Sequence, residues 1–136
     1  MDSKILHFIT KQKLLSWAMK DEEGVYSASA FYVFDADSLA FIIASDKDTK
    51  HIHLAYKNPN VAITIAKEDS IALLKGIQAK ALFKEATAQQ TKQYFQQFPF
   101  AKLSSKATIY ALEIFWVKFT DNTLLLEKKL EFSRSK

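Results

Sequence analysis

The feature that most constrains the fold is a succession of strand-like segments separated by short polar turns. In the clearest case the alternating run "VYSASAFYVF" (25–34) precedes the turn "DADS" and the continuous apolar run "LAFIIA" (39–44). Apolar runs on either side of a polar turn predict a β-hairpin. Further strand-like segments are 14–19, 61–66, 71–83, 108–119 and 123–132. We therefore expect an antiparallel sheet of six or seven strands.

About three helices are predicted in the gaps between these strands. The first is capped by Asp2 or Ser3, the second spans 48–57, and the third spans 86–98. The second ends before Pro59 because the residue that precedes a proline disfavours helical geometry. Strands joined mostly as hairpins, with helices in the gaps, favour a mainly β (α+β) fold built on an antiparallel barrel.

Composition limits the size and the environment of the protein. A chain of 136 residues with 49% hydrophobic residues suits a single domain, 1–136, with a sizeable core. The chain has no cysteine, which excludes disulfides and thiolate catalysis and fits a cytoplasmic protein. The first residues do not form a signal peptide, and no apolar run approaches the roughly 20 residues that span a membrane.

The charge of the chain argues against nucleic acid as a partner. The formal net charge is +4, from 19 Lys and Arg against 15 Asp and Glu, and it is scattered. The densest basic stretch is the C-terminal "EKKLEFSRSK", which has no interleaved aromatic pattern. Such a stretch is typical of a solvated tail, so we expect neither a nucleic-acid partner nor a membrane partner.

The start of the second helix carries the residues of an anion site. If Asp48 caps this helix, Thr49, Lys50 and His51 form its first turn, whose backbone N–H groups have no intrahelical acceptor. The positive end of the helix dipole favours a phosphate there. Ser45 and Thr49 add hydroxyl groups, Lys50 adds a positive charge, and His51 is a second candidate cation. The alternative interpretation is an ordinary helix cap with a solvated lysine.

A metal site and a catalytic group are not predicted. His51 and His53 form an H-x-H pair, but helical residues two apart point to nearly opposite faces and do not share a metal. The chain has no nucleophile elbow, no HExxH and no glycine-rich phosphate loop. Catalytic residues therefore remain unassigned, and any enzymatic chemistry has to come from a cofactor.

Four small residues follow one another in a predicted strand. Ser27, Ala28, Ser29 and Ala30 occupy positions where a barrel strand usually carries bulky β-branched side chains. Such a strand lets a flat ring lie close to its backbone. Close packing against a neighbouring helix explains the same pattern, and both interpretations stay open.

The order of elements and several motifs resemble the split β-barrels of the pyridoxamine 5'-phosphate oxidase-like superfamily, which bind FMN. The resemblance spans nearly the whole chain and includes Ser45-x3-Thr49-Lys50-His51 followed by Asn58-Pro59. The segments "SAFYVFD" (29–35), "TKH" (49–51) and "KFTDNTL" (118–124) are similar to those of a small bacterial family within that superfamily.

This resemblance implies a homodimer with two FMN sites at the subunit interface. Ser45, Thr49 and Lys50 match family residues that hold the FMN phosphate, whereas His51 stands where the family has a lysine. The strand 27–30 matches the one that faces the isoalloxazine ring. A family glutamine that contacts the flavin falls on Gly76, with Gln78 nearby. Residues that bind pyridoxal phosphate in the true oxidase have no counterpart.

The function expected from the resemblance is FMN binding, with a possible flavin-dependent oxidoreductase activity on an unassigned substrate. Trp116 and Lys118 are candidates to reach the site of the neighbouring subunit, while a core or surface role is the alternative for both. The alternative function is a dimeric split-barrel binding module that has lost flavin binding. The helix-start residues would then hold another anion or none.

Overall fold

The computed structural model describes residues 1–68, 74–122 and 129–135, and in it seven antiparallel strands form one sheet. The strands are β1 (Leu14–Asp21), β2 (Gly24–Asp35), β3 (Ala40–Asp46), β4 (Asn60–Lys67), β5 (Lys75–Glu85), β6 (Ala107–Asp121) and β7 (Leu130–Ser133). The helices are α1 (Ser3–Lys11), α2 (Lys50–Lys57) and α3 (Ala88–Gln97), and a short 3-10 helix (Pro99–Leu103) follows α3. The mainly β fold expected from the sequence is confirmed.

The sheet closes on itself to form a barrel. Its strand order is β3-β2-β1-β4-β5-β6-β7, and an additional pairing joins β3 to β6. This pairing runs over the whole of β3, from Ala40 opposite Glu113 to Asp46 opposite Ala107. Because β6 pairs with β3, β5 and β7 at different points of its length, it is the strand that holds the barrel together.

The barrel is split between β2 and β3. These two strands pair over only four positions, where Tyr32–Asp35 face Ala40–Ile43. Among the described strands, β2 pairs with β1 alone before Tyr32, and β3 pairs with β6 alone after Ile43. The two strands therefore diverge just where β3 leads into α2.

The core fills the barrel with side chains that alternate along the strands. In β1 and β4 every second residue is buried, as in Leu15, Trp17 and Met19. This period of two is the property that makes one face of a strand apolar. Helix α1 adds the buried Ile5, Phe8 and Ile9 to the same core.

Two buried polar side chains fix the helices to the sheet. The Tyr32 hydroxyl donates to the carbonyl oxygen of Ile9 at 2.6 Å, and this carbonyl belongs to the last turn of α1, where intrahelical donors are missing. Gln90 forms a capping box with Thr87 at the start of α3. Its side-chain amide donates to Asp35 at 3.1 Å and to Ser38 at 3.0 Å, which joins α3 to the β2–β3 turn.

Some element boundaries differ from those expected. The second helix begins at Lys50 and is preceded by Thr49, so Asp48 is not its cap. The reason is a tight turn in which the Asp46 carboxylate accepts from the Asp48 N–H and the Asp46 carbonyl accepts from the Thr49 N–H. The parts of the expected strands at 71–73 and 123–128 lie outside the described residues.

Within the described ranges, no helix combines the length and the apolar character that crossing a bilayer requires.

The Tyr32–Ile9 hydrogen bond predicts a specific loss of stability. Tyr32→Phe leaves the Ile9 carbonyl without its buried donor, so we expect the free energy of unfolding to fall by about 1–3 kcal/mol. Urea unfolding followed by circular dichroism measures this change. Tyr26→Phe provides the control, because Tyr26 is an exposed residue and the variant keeps its ring. Equal stability of wild type and Tyr32→Phe would contradict the assignment.

Candidate functional site

Three polar side chains meet where β3 ends and α2 begins. The Nε2 atom of His51 lies 2.8 Å from Ser45 Oγ and 3.2 Å from Thr49 Oγ1, and the two hydroxyl oxygens are 3.4 Å apart. We call Ser45, Thr49 and His51 the Ser-Thr-His cluster. The sequence predicted these three residues to lie together, and the structure does place them side by side.

The hydrogen bonds of Thr49 indicate which ring nitrogen of His51 carries a hydrogen. The Thr49 hydroxyl donates to the carbonyl oxygen of Asp46 at 2.9 Å, so toward His51 it acts as an acceptor. A bond between these two side chains then requires a hydrogen on Nε2 of His51. With Nε2 as the donor, the Ser45 hydroxyl accepts from the ring, and its own hydrogen is the one available for the 3.4 Å contact with Thr49 Oγ1.

His51 is a hydrogen-bond donor in this site rather than the second cation that the sequence suggested. Its ring packs edge to face with the buried Trp17, with ring centroids 5.6 Å apart. Burial lowers the pKa of His51 below its ordinary value of about 6.5. The imidazole is therefore neutral at pH 7.

Lys50 points away from the Ser-Thr-His cluster. Its Nζ lies 3.1 Å from Asp21 Oδ2 and 4.6 Å from the centroid of the Tyr26 ring. The hydrogen bond from Lys50, followed by the one from the Glu22 backbone N–H, holds the pKa of Asp21 below its usual range. Asp21 and Tyr26 were missed in the sequence because a turn residue and a strand residue gave no sign of lying near a helix so far along the chain.

The small-residue strand divides between the two faces of the sheet. Ser27 and Ser29 lie on the outer face, opposite Ala18 and Ser16 of β1. Ala28 and Ala30 point inward and pack against the main core. The inward pair lies on the part of β2 that has no neighbouring strand on the side of the split.

Gln78, Trp116 and Lys118 lie on the outer face of the barrel, away from the Ser-Thr-His cluster. Gln78 is exposed and pairs in register with Lys118, and Lys80 pairs with Trp116. The Lys80 ammonium lies 5.6 Å from the centroid of the Trp116 ring. One protomer therefore does not bring these three predicted residues to the helix start.

Gly76 cannot be replaced by a larger residue without a backbone shift. A Cβ at this position would lie 2.9 Å from the carbonyl oxygen of Ile65 on β4. The register sets Gly76 opposite Ala66, so the close approach belongs to the β4–β5 pairing itself. A glutamine at position 76 would not fit this pairing.

Sequence relatives cover the chain from end to end. A UPF0306 protein of Campylobacter jejuni is 64% identical over 132 residues, which are 97% of this chain and 98% of the relative. The UPF0306 protein YhbP of Escherichia coli is 31% identical over 135 residues, 96% of each chain. The chain belongs to the UPF0306 family. No protein-family model matches the sequence.

Solved structures similar to this UPF0306 chain share its fold. A heme-binding protein from Mycobacterium smegmatis matches with a TM-score of 0.73 and 11% identity, over 90% of this chain and 53% of that one. An FAD-binding protein from Mesorhizobium loti matches with a TM-score of 0.71 and 13% identity, over 86% of this chain and 92% of that one. A candidate pyridoxamine 5'-phosphate oxidase from Listeria innocua matches with a TM-score of 0.70 and 14% identity, over 85% of this chain and 94% of that one.

These likenesses establish the fold of the UPF0306 chain. It is a split β-barrel, the fold that the sequence resemblance implied. The chain spans about half the length of the Mycobacterium smegmatis protein.

The burial of His51 predicts how the stability of this UPF0306 protein depends on pH. The unfolded chain protonates His51 below pH ~6.5, whereas the folded protein resists protonation. The unfolded state then binds more protons, so His51 lowers the free energy of unfolding as the pH falls below about 6.5. We expect the change in stability between pH 7.5 and 5.5, measured by urea unfolding, to be smaller in His51→Gln than in wild type.

The control is Gln89→Ala on the exposed surface of α3, which changes no group that titrates in this range and should keep the pH dependence of the wild type. An unchanged pH dependence in His51→Gln would show that this imidazole titrates alike in both states.

Proposed function

We propose that this protein is an FMN-binding homodimer and that it acts as a flavin-dependent oxidoreductase on an unassigned substrate. The observation that carries this proposal is the Ser-Thr-His cluster beside the first turn of α2, at the point where β2 and β3 separate. Similar folds described as FAD-binding and as a candidate pyridoxamine 5'-phosphate oxidase support a flavin. A similar fold described as heme-binding supports a cofactor-binding role for the barrel.

The donors of the cluster fit a phosphate group. The backbone N–H groups of Lys50 and His51 lie in the first turn of α2, where intrahelical acceptors are missing. When His51 donates from Nε2, the Ser45 hydrogen is used only in the long 3.4 Å contact with Thr49, so the hydroxyl can turn to donate to a phosphate. Together these groups offer a compact set of donors at the positive end of a helix, which suits a dianion.

Lys50 can join this set of donors with little loss of free energy from its present contacts. Its pair with Asp21 is partly exposed, with 56% of the Lys50 side chain and 22% of the Asp21 side chain accessible to solvent. Exposed ion pairs contribute about 0–1 kcal/mol, whereas a hydrogen bond to a charged group contributes roughly 1.5–3 kcal/mol. A bound phosphate dianion would therefore draw Lys50 away from Asp21.

The split supplies a place for the flat ring of the flavin. Within the described part of the chain, residues 24–31 of β2 pair on one edge only, so the other edge presents backbone N–H and C=O groups. Ala28 and Ala30 have side chains small enough to leave room above this stretch. FMN bound there would supply the hydride or electron transfer, and the protein residues would hold its phosphate and orient its ring.

A second copy of the chain would complete the site. Gln78, Trp116 and Lys118 lie on the outer face and cannot serve the cluster of their own protomer. The middle of the outer face of β1, β2 and β4 carries small side chains, which let two sheets approach closely. Its members in β1, β2 and β4 are Ser16, Ala18, Ser27, Ser29, Ala62 and Thr64.

The alternative function is a dimeric binding module without a flavin. The pairing of Lys50 with Asp21 favours it, because the helix-start cation already has a partner in this arrangement. The two functions differ in a simple property, since a flavin released by denaturing the purified protein is yellow and identifies the cofactor directly.

The phosphate contacts predict a preference for FMN over riboflavin. Lys50→Ala should weaken FMN binding about tenfold or more, because it removes one charged contact, and should leave riboflavin affinity nearly unchanged. Asp21→Asn should strengthen FMN binding by up to about fivefold, because it releases Lys50 and removes a nearby carboxylate. Titrations of both flavins, followed by flavin fluorescence, measure these affinities.

Lys92→Ala on the exposed face of α3 is the control for a general charge effect. Equal affinities of wild type for FMN and riboflavin would reject the phosphate site. Absence of binding by both flavins would leave the binding module as the function.

The outer face predicts the oligomeric state. Sedimentation at about 10 μM should give twice the chain mass for wild type. Ser29→Arg should give a monomer, because it places a long charged side chain in the middle of the small-residue face. Gln89→Arg adds the same side chain to the exposed surface of α3 and should remain dimeric. A monomeric wild type would remove the shared site.

A further inference from the structure

A separate cavity lies at the end of the barrel that α1 covers. Its volume is about 530 Å³, which is in the usual range for small-molecule sites. Its wall is formed by α1 and by the ends of β4, β5 and β6. The charged and titratable side chains that line it are Lys4, His7, Lys11, Lys67, Lys75 and Asp121.

This cavity lies far from the Ser-Thr-His cluster. The strand β6 connects the two regions, since Ser45 pairs with Thr108 near its start and Lys75 pairs with Asp121 at its end. The whole length of β6 therefore separates the two places. The cavity has no part in the proposed FMN site.

Two lysines face each other at the mouth of the barrel. Lys67 of β4 lies directly opposite Lys75 of β5, two residues beyond the buried pair Ile65 and Ile77. Because side chains alternate along a strand, both lysines point to the side of the barrel interior. Like charges directly opposite each other in a sheet are destabilising. A bound anion would convert this repulsion into attraction.

Helix α1 adds further positive charge to the same cavity. Lys4 and Lys11 lie two turns apart, with His7 between them, so the three share one face of the helix. Within residues 1–68, 74–122 and 129–135, Lys4, Lys11 and Lys67 form no ion pair. Among the described lining residues, Asp121 supplies the one carboxylate, and its Oδ2 lies 3.9 Å from Lys75 Nζ.

The cavity also has an aromatic wall. Phe8 and Phe119 belong to the core, where 5% and 4% of their surface stays accessible; the edges of their rings reach the cavity, and their ring centroids are 5.3 Å apart. An apolar wall beside four lysines suits a ligand with a flat ring at one end and several negative charges at the other. We propose that this cavity binds an organic phosphate that carries an aromatic ring, of the size of a nucleoside diphosphate.

The test compares three probes on the full-length protein by calorimetry and by amide chemical-shift mapping. Adenosine diphosphate should bind at least tenfold more tightly than adenosine, which lacks the charges, and more tightly than inorganic pyrophosphate, which lacks the ring. The shifted amides should lie in α1 and next to Lys67 and Lys75. Shifts confined to residues 45–51 would overturn the proposal.

The variants assign the binding to the cavity. Lys11→Gln and Lys67→Gln should each weaken the binding of adenosine diphosphate severalfold. The double variant should weaken this binding about tenfold or more. Lys11→Arg keeps the charge and should bind nearly as wild type. Lys92→Gln on the exposed face of α3 should leave the affinity unchanged. Unchanged binding in the double variant, or equal binding of all three probes, would overturn the proposal.

Discussion

The pairing of β3 with β6 is the constraint on which the rest of the structure depends. It closes the sheet, and it holds β3 along its whole length while β2 continues with β1. Because β3 cannot follow both neighbours, the barrel opens between β2 and β3 after Ile43. The Ser-Thr-His cluster lies at this opening because the chain turns from β3 directly into α2 there.

The charges near that opening are balanced by weak interactions. Lys50 is held by a partly exposed ion pair and by the face of an aromatic ring, and each of these contributes little. His51 is neutral because its ring is partly buried against Trp17. The cluster therefore presents hydrogen-bond donors without a fixed positive charge, and a phosphate would add the attraction of Lys50 when it binds.

The opposite end of the barrel carries fixed positive charges instead of uncharged hydrogen-bond donors. There the positive charges are fixed by the register of β4 and β5 and by one face of α1, and they exceed the carboxylates that line the cavity in the described part of the chain. One end of the molecule thus offers a helix terminus and hydroxyl groups, while the other offers lysines beside phenylalanine rings. The two ends suit two different ligands.

The sequence by itself determined the antiparallel strands, the three helices and the adjacency of Ser45, Thr49 and His51, because these depend on alternation, turns and short separations along the chain. It did not determine the start of α2, where the Asp46 carboxylate and carbonyl set the turn. Only the tertiary structure decided that Lys50 meets Asp21, that Ala28 and Ala30 point inward, and that Lys67 faces Lys75. Those contacts depend on register and on barrel closure, which join residues that no local pattern brings together.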